Sequence, residues 1–209
     1  MSSEFTLFAA NTANGYKALI PLHEFGCDYD LHVLDLVKGE QFDSAFTRLS
    51  PVARVPVIEA NIDGNDLSIY GTEAIAIFLA DHYQRFIPED KIERAKVLEM
   101  TGLVSSDLAL PLAVQFQVDV IVAGDHPEVI EYFAAQARRI LTALDSILQS
   151  KSWLAGEHYS IADMLAFPSV AISAARIPDA LDGLDALLAW QEKVAARPAV
   201  EYAMGIELA

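Results

Sequence analysis

The chain has 209 residues and a formal charge of −16, from 14 Lys and Arg against 30 Asp and Glu. That acidic excess, spread along the sequence, excludes binding to nucleic acid or to an anionic membrane through a general electrostatic field. At 53% apolar and 21% charged residues the chain can bury a core, which excludes a disordered polymer.

Residues 5–10, FTLFAA, read as a strand, followed by the polar turn Asn11-Thr12-Ala13-Asn14. A helix is predicted from Gly15 to Phe25, ending at Gly26, with a kink at Pro21. Tyr29–Leu36 is a second predicted strand, and a polar helix or loop runs on through Leu49. Val55–Ile58 and Leu67–Tyr70 flank Asp63-Gly64, a hairpin signal. Thr72 then caps a predicted helix, AIAIFLADHY. The order is β-α-β-α-β-β-α. After Pro88 the strand signals stop, and 89–110 and 128–149 read as long amphipathic helices, the second opened by Pro127. Ser160-Ile161-Ala162-Asp163 has the spacing of a capping box, and Leu184–Ala196 makes a last helix, stopped before Pro198. The predicted architecture is therefore an α/β domain at 1–85 and an all-helical domain at 86–209.

Several chemistries find no support. One cysteine, Cys27, excludes an internal disulfide, a CxxC redox pair and a four-ligand zinc site, and Cys27 itself reads as a small buried hydrophobe. The five histidines show no metal-ligand spacing, so no metal is expected. No GxGxxG, GxxxxGK[ST] or GxSxG motif is present. The longest charge-free stretches, 5–16 and 164–175, are too short to span a bilayer, and MSSEF is no secretory signal. A cytoplasmic protein without nucleic-acid or membrane partners is the expectation.

The βαβαββα unit, the X-Pro before its third strand and the helical domain with SIAD together resemble the cytosolic glutathione transferases over essentially the whole chain. Within that superfamily TANGYK (12–17), VKGEQF (37–42) and LSPVARVPVI (49–58) are most similar to the nu-class, disulfide-bond oxidoreductase-like group. The resemblance implies a thioredoxin-like N-terminal domain, a helical-bundle C-terminal domain, glutathione as co-substrate and a homodimer. In that homodimer the α/β domain of one subunit would face the helical domain of the other.

The same resemblance assigns roles to individual residues. Thr12 and Asn14, between a strand end and a helix N-terminus, would stabilise the thiolate of glutathione, since hydroxyl and amide donors and the helix dipole favour the charged form. By composition alone the same pair also reads as a helix cap. Val55, before a cis Pro56, would pair its backbone with the cysteinyl part of the tripeptide. Gln41 and Arg54 would hold its glycine end, with Lys38 nearby. Thr72, with Glu73 beside it, would take the γ-glutamyl carboxylate at a helix N-terminus. Gly71 stands where the group carries an acid or amide, so no side chain there meets the γ-glutamyl ammonium. Arg139 matches an arginine that faces glutathione. Phe116, Met164, Phe167 and Ile172 read either as core or as the lining of a second-substrate pocket.

Two function classes remain at this point, beside a transferase that uses a different thiol or peptide. One is an enzyme that activates the thiol of glutathione for attack on a small electrophile or a disulfide. The other is a non-catalytic binding or regulatory protein of the same fold with weakened glutathione affinity.

Overall fold

The computed structural model describes residues 3–177 and 179–208, with Val120 described by its backbone alone. Met1 and Ser2, the start of MSSEF, lie outside the described residues. The chain divides into two compact units, one running to Arg85 and resuming at Ala196, the other spanning Phe86–Ala195.

The first unit holds β1 (Phe5–Ala9), α1 (Ala13–Phe25), β2 (Tyr29–Val33), α2 (Ser44–Leu49), β3 (Val57–Ile62), β4 (Asn65–Tyr70) and α3 (Thr72–Tyr83). Its sheet has the order β2-β1-β3-β4, with β1 parallel to β2 and antiparallel to β3. Phe5, Leu7 and Ala9 are buried at every second position of β1, as the period of a strand requires. Phe8 faces the other way, into a cluster formed by Leu34, Phe46 of α2 and Val57. This is the thioredoxin-like arrangement expected from the sequence.

Local chemistry moves several predicted boundaries. Helix α1 starts at Ala13, two residues early, because the Thr12 hydroxyl accepts from Gly15 N at 3.2 Å. It ends where Gly26 takes φ 75°, a left-handed cap. The helix continues through Pro21, which leaves the Lys17 carbonyl without its usual donor four residues on. Strand β2 stops at Val33 rather than Leu36. There the Asp35 carboxylate accepts from Val37 N and Lys38 N, both at 3.0 Å, and turns the chain. The hairpin turns at Asp63 and Gly64, both at positive φ, as its dipeptide foretold.

The last segment departs from an 86–209 helical domain. Pro198 opens α9 (Pro198–Met204) instead of ending a helix for good, and α9 packs on α1. Tyr16 Oη donates to the Ile206 carbonyl at 3.2 Å, and the His23 and Tyr202 rings lie 4.7 Å apart. Glu24, 8% exposed, meets Arg197 in a two-pronged ion pair, with Nη2 of Arg197 at 2.7 Å from Oε2. Arg197→Ala strands a buried carboxylate and is expected to lower stability by about 2 kcal/mol. Urea unfolding checks this, and adding Glu24→Gln should recover part of the loss.

The second unit is helical: α4 (Lys91–Leu103), α5 (Ala109–Val120), α6 (Pro127–Leu148), α7 (Ile161–Arg176) and α8 (Asp185–Ala195). The helix expected at 89–110 is broken by one π turn at Val104–Leu108 and then continues. The run Lys91–Asp119 has a window of mean hydropathy 1.4, long and apolar enough on those two counts to cross a membrane. Here α5 packs on α6 and α7, and α4 packs on α7. Met164 (0% exposed) and Phe167 (5%) are core residues of α7, which removes them from any substrate lining.

The SIAD segment closes as a capping box around Asp163. Asp163 Oδ2 accepts from Ser160 N at 3.0 Å and Ser160 Oγ at 3.1 Å. Its Oδ1 accepts from Leu154 N at 3.0 Å and Trp190 Nε1 at 2.9 Å, which ties α7 to α8 and to the loop before α7. Burial pushes the Asp163 carboxyl up, and these four donors pull against that rise. On α6, Arg138 donates to the carbonyls of Asp179, Ala180 and Asp182, holding the turn after α7.

Candidate glutathione site

The strand register decides which predicted residues meet. Phe8 of β1 pairs with Val57 at the start of β3, and Val57 pairs with Tyr70 at the end of β4. The turns carrying Thr12, Val55-Pro56 and Gly71-Thr72 therefore leave the sheet at one end. Leu34 N bonds to Ala9 O at 2.8 Å, so the loop with Lys38 and Gln41 starts at that end too.

Each turn is fixed by its own chemistry. Thr12 is half-buried, and its hydroxyl caps α1 while donating to Ala10 O at 3.4 Å. Asn14, in the first turn of α1, is exposed. Gly15 is buried because any Cβ there would lie 2.3 Å from the Ala10 carbonyl oxygen, so the helix start rests directly on the end of β1. Val55-Pro56 is cis. Buried Ser50, which the sequence did not single out, braces the residue before Val55. Its Oγ donates to Arg54 O at 2.9 Å and accepts from Arg54 N at 3.2 Å. Pro56 O in turn accepts from Gly71 N at 3.3 Å, which joins the proline turn to the start of α3.

Helix α3 begins without a side-chain cap, at Gly71. The first-turn amides, with half-buried Thr72 and Glu73 beside them, are donors suited to a carboxylate. Gly71 sits at φ 92° and ψ 130°, a conformation that strains any residue with a Cβ. Restoring an acid as Gly71→Glu thus carries a backbone penalty of about 1–2 kcal/mol, whatever it adds for an ammonium group.

In the loop after β2, Gln41 donates to Leu36 O at 3.4 Å while its buried Oε1 has no hydrogen-bond partner among the described residues. Lys38 is engaged with Asp35 at 2.9 Å, which raises the lysine and lowers the carboxyl. Arg54 is exposed. Arg139 belongs to the helical unit, exposed on α6, and is not among the residues that the sheet brings together. Burial pushes the Cys27 thiol up to about 11, so it stays protonated at neutral pH and offers no nucleophile. The described residues contain no cluster of His, Cys, Asp and Glu able to hold a metal.

Comparison with known proteins identifies the family. Residues 3–81 match the glutathione S-transferase N-terminal domain, and residues 107–198 match the glutathione S-transferase C-terminal domain. The disulfide-bond oxidoreductase YfcG of Escherichia coli is 33% identical over 95% of this chain and 93% of its own length. The disulfide-bond oxidoreductase YghU of the same organism is 29% identical, over 93% of this chain and 72% of its own. Among solved structures, a glutathione transferase YghU from Streptococcus pneumoniae, complexed with glutathione, superposes with a TM-score of 0.91. It is 27% identical and covers 99% of this chain and 84% of that one. A fold of a thioredoxin-like unit joined to a helical unit, and a sequence match along nearly the whole length, place this chain in the glutathione S-transferase family.

Proposed function

We propose that the protein binds glutathione at the sheet end just described and activates its thiol for attack on a small electrophile or a disulfide. The observation that carries this reading is the convergence of three turns at one end of the sheet, two of them joined by the Gly71 N to Pro56 O bond. Val55 starts no ladder of its own, since the β3 pairing begins at Val57, so its backbone is available as an edge for the cysteinyl residue. The first-turn amides of α3 with Thr72 and Glu73 take the γ-glutamyl end, and Gln41 and Arg54 take the glycine end. Arg139 remains a candidate for glutathione on the family resemblance alone.

Asn14 and Thr12 stand at the N-terminus of α1, where the helix dipole and their donors favour a thiolate. Because the Thr12 hydroxyl already donates to Ala10 O, Asn14 is the freer donor of the two. In the disulfide reaction the glutathione thiolate attacks one sulfur of the substrate, a mixed disulfide forms, and the other sulfur leaves as a thiolate. A second glutathione thiolate resolves the mixed disulfide. In conjugation the same thiolate bonds to an electrophilic carbon while that carbon's bond to its leaving group breaks, the leaving group taking the electron pair. The names of the Escherichia coli relatives support the disulfide branch, and the Streptococcus pneumoniae complex supports glutathione as the ligand. A homodimer working in the cytoplasm, where reduced glutathione is supplied, completes the proposal.

Calorimetric titration with reduced and oxidised glutathione tests binding, with micromolar to low-millimolar affinity expected. The paired Thr12→Ala and Asn14→Ala variant is expected to lose at least tenfold in turnover. Thr12→Ala alone should cost about 1 kcal/mol of stability through the lost cap, and Asn14→Ala close to none. Unchanged turnover in the double variant removes both residues from the chemistry. The bare Gly71 position favours the non-catalytic reading, and absence of heat with either form of glutathione would select it.

A further inference from the structure

The helical unit contains a cavity of about 140 Å³ formed by Gln115, Phe116 and Asp119 of α5, Ile130 of α6 and Arg176 of α7. Gln115, 9% exposed, is the buried member. Gln115 and Asp119 are one helical turn apart and share a face. Across from them the Arg176 guanidinium lies over the Phe116 ring, 4.4 Å from its centroid. A guanidinium carries five N–H donors in a fork that can take a carboxylate with two parallel bonds.

We propose that this cavity binds a small α-amino acid as the zwitterion. Arg176 takes the carboxylate, Asp119 takes the ammonium, and the Gln115 amide gives or accepts the remaining hydrogen bond. Phe116 and Ile130 offer apolar surface to a short side chain. Size limits the ligand, since a cavity of about 150 Å³ accommodates benzene and so about six heavy atoms, the size of alanine. Charge selects it further. Asp119 at the cavity repels a bare anion. A cation lacks a partner for Arg176. Only a ligand carrying both charges satisfies both ends. None of the residues proposed to bind glutathione takes part, so the two readings stand or fall separately.

The test is a titration of the isotope-labelled 209-residue protein with L-alanine to about 50 mM, followed by amide chemical shifts, a range that exceeds millimolar affinity. Saturable shifts centred on Gln115, Phe116, Asp119, Ile130 and Arg176 are expected. Propionate and ethylamine, which carry one charge each, should bind at least tenfold more weakly. Arg176→Gln and Asp119→Asn, both on exposed side chains, should each weaken alanine at least tenfold. Absent or scattered shifts in the unaltered protein overturn the proposal, with no variant required. Propionate binding as well as alanine also overturns it and leaves a plain anion site. A parallel glutathione titration of Arg176→Gln should match the unaltered protein, so that losing one activity is not mistaken for losing the other.

Discussion

Asp163→Ala is expected to lower the stability of the protein by about 3–5 kcal/mol, enough to remove a large share of what holds a typical domain folded. The carboxylate is fully buried and accepts four hydrogen bonds from three separate parts of the helical unit. Removing it leaves Leu154 N, Ser160 N, Ser160 Oγ and Trp190 Nε1 without an acceptor in a dry interior, where each orphaned donor carries its full desolvation cost. Asp163→Asn should be milder. Its remaining oxygen still serves Leu154 and Trp190, while its amide nitrogen opposes the Ser160 donors. Urea unfolding of the three proteins, followed by tryptophan fluorescence, should order them as native, Asn, Ala. Equal stability of native and Ala forms would show that the network contributes nothing net.

The opposite sign is expected at Lys17. This side chain is 1% exposed on α1, and burial lowers its pKa from 10.5 to about 8. The unfolded chain holds the Lys17 proton up to pH 10.5 while the folded chain releases it near 8. Between those values the unfolded state binds more protons, so stability rises with pH. Below about pH 8 the full penalty is present, about 3 kcal/mol for that difference. Lys17→Met keeps the length and apolar stem of the side chain and removes the charge. It is expected to stabilise the protein by about 2–3 kcal/mol at pH 7 and to flatten the rise between pH 8 and 10.5. Chemical denaturation of both proteins across that range is the measurement. Parallel curves with no offset would mean that the ammonium finds water or a partner in solution.

Much of the fold was legible because its punctuation is local. Gly26 ends α1, Asp63-Gly64 turns the hairpin, Pro127 opens α6 and the SIAD spacing marks α7. Each is a residue whose backbone preference acts over a few positions. The features that escaped are those decided at a distance or by ambiguous marks. Pro198 stops one helix and starts another equally well, and only packing against α1 tells the two apart. The π turn at Val104–Leu108 inserts no unusual residue, so nothing in the sequence announces it. Lys17 reads as surface because lysine almost always is, and its burial depends on neighbours the chain brings from elsewhere. The site divides in the same way. Thr12, Pro56 and Thr72 could be named from motifs, yet their placement at one end of the sheet depends on β3 running antiparallel to β1. Ser50 was missed because its work is to brace a neighbour's backbone. The conformation of Gly71 was missed because a glycine in sequence states freedom and not the angle chosen.

The return of α9 to the first unit has a consequence for synthesis. A ribosome delivers the chain from its N-terminus, and domains generally fold as units in that order. Here the surface of α1 that meets Tyr202, Ile206 and Leu208 waits until the whole helical unit has been made. Glu24, His23 and the small Gly15 contact stay uncovered through that interval. The α/β unit is therefore completed last although it is begun first. A nascent chain halted at residue 195 would carry a finished helical unit beside an unfinished partner, the state in which a chaperone has most to bind.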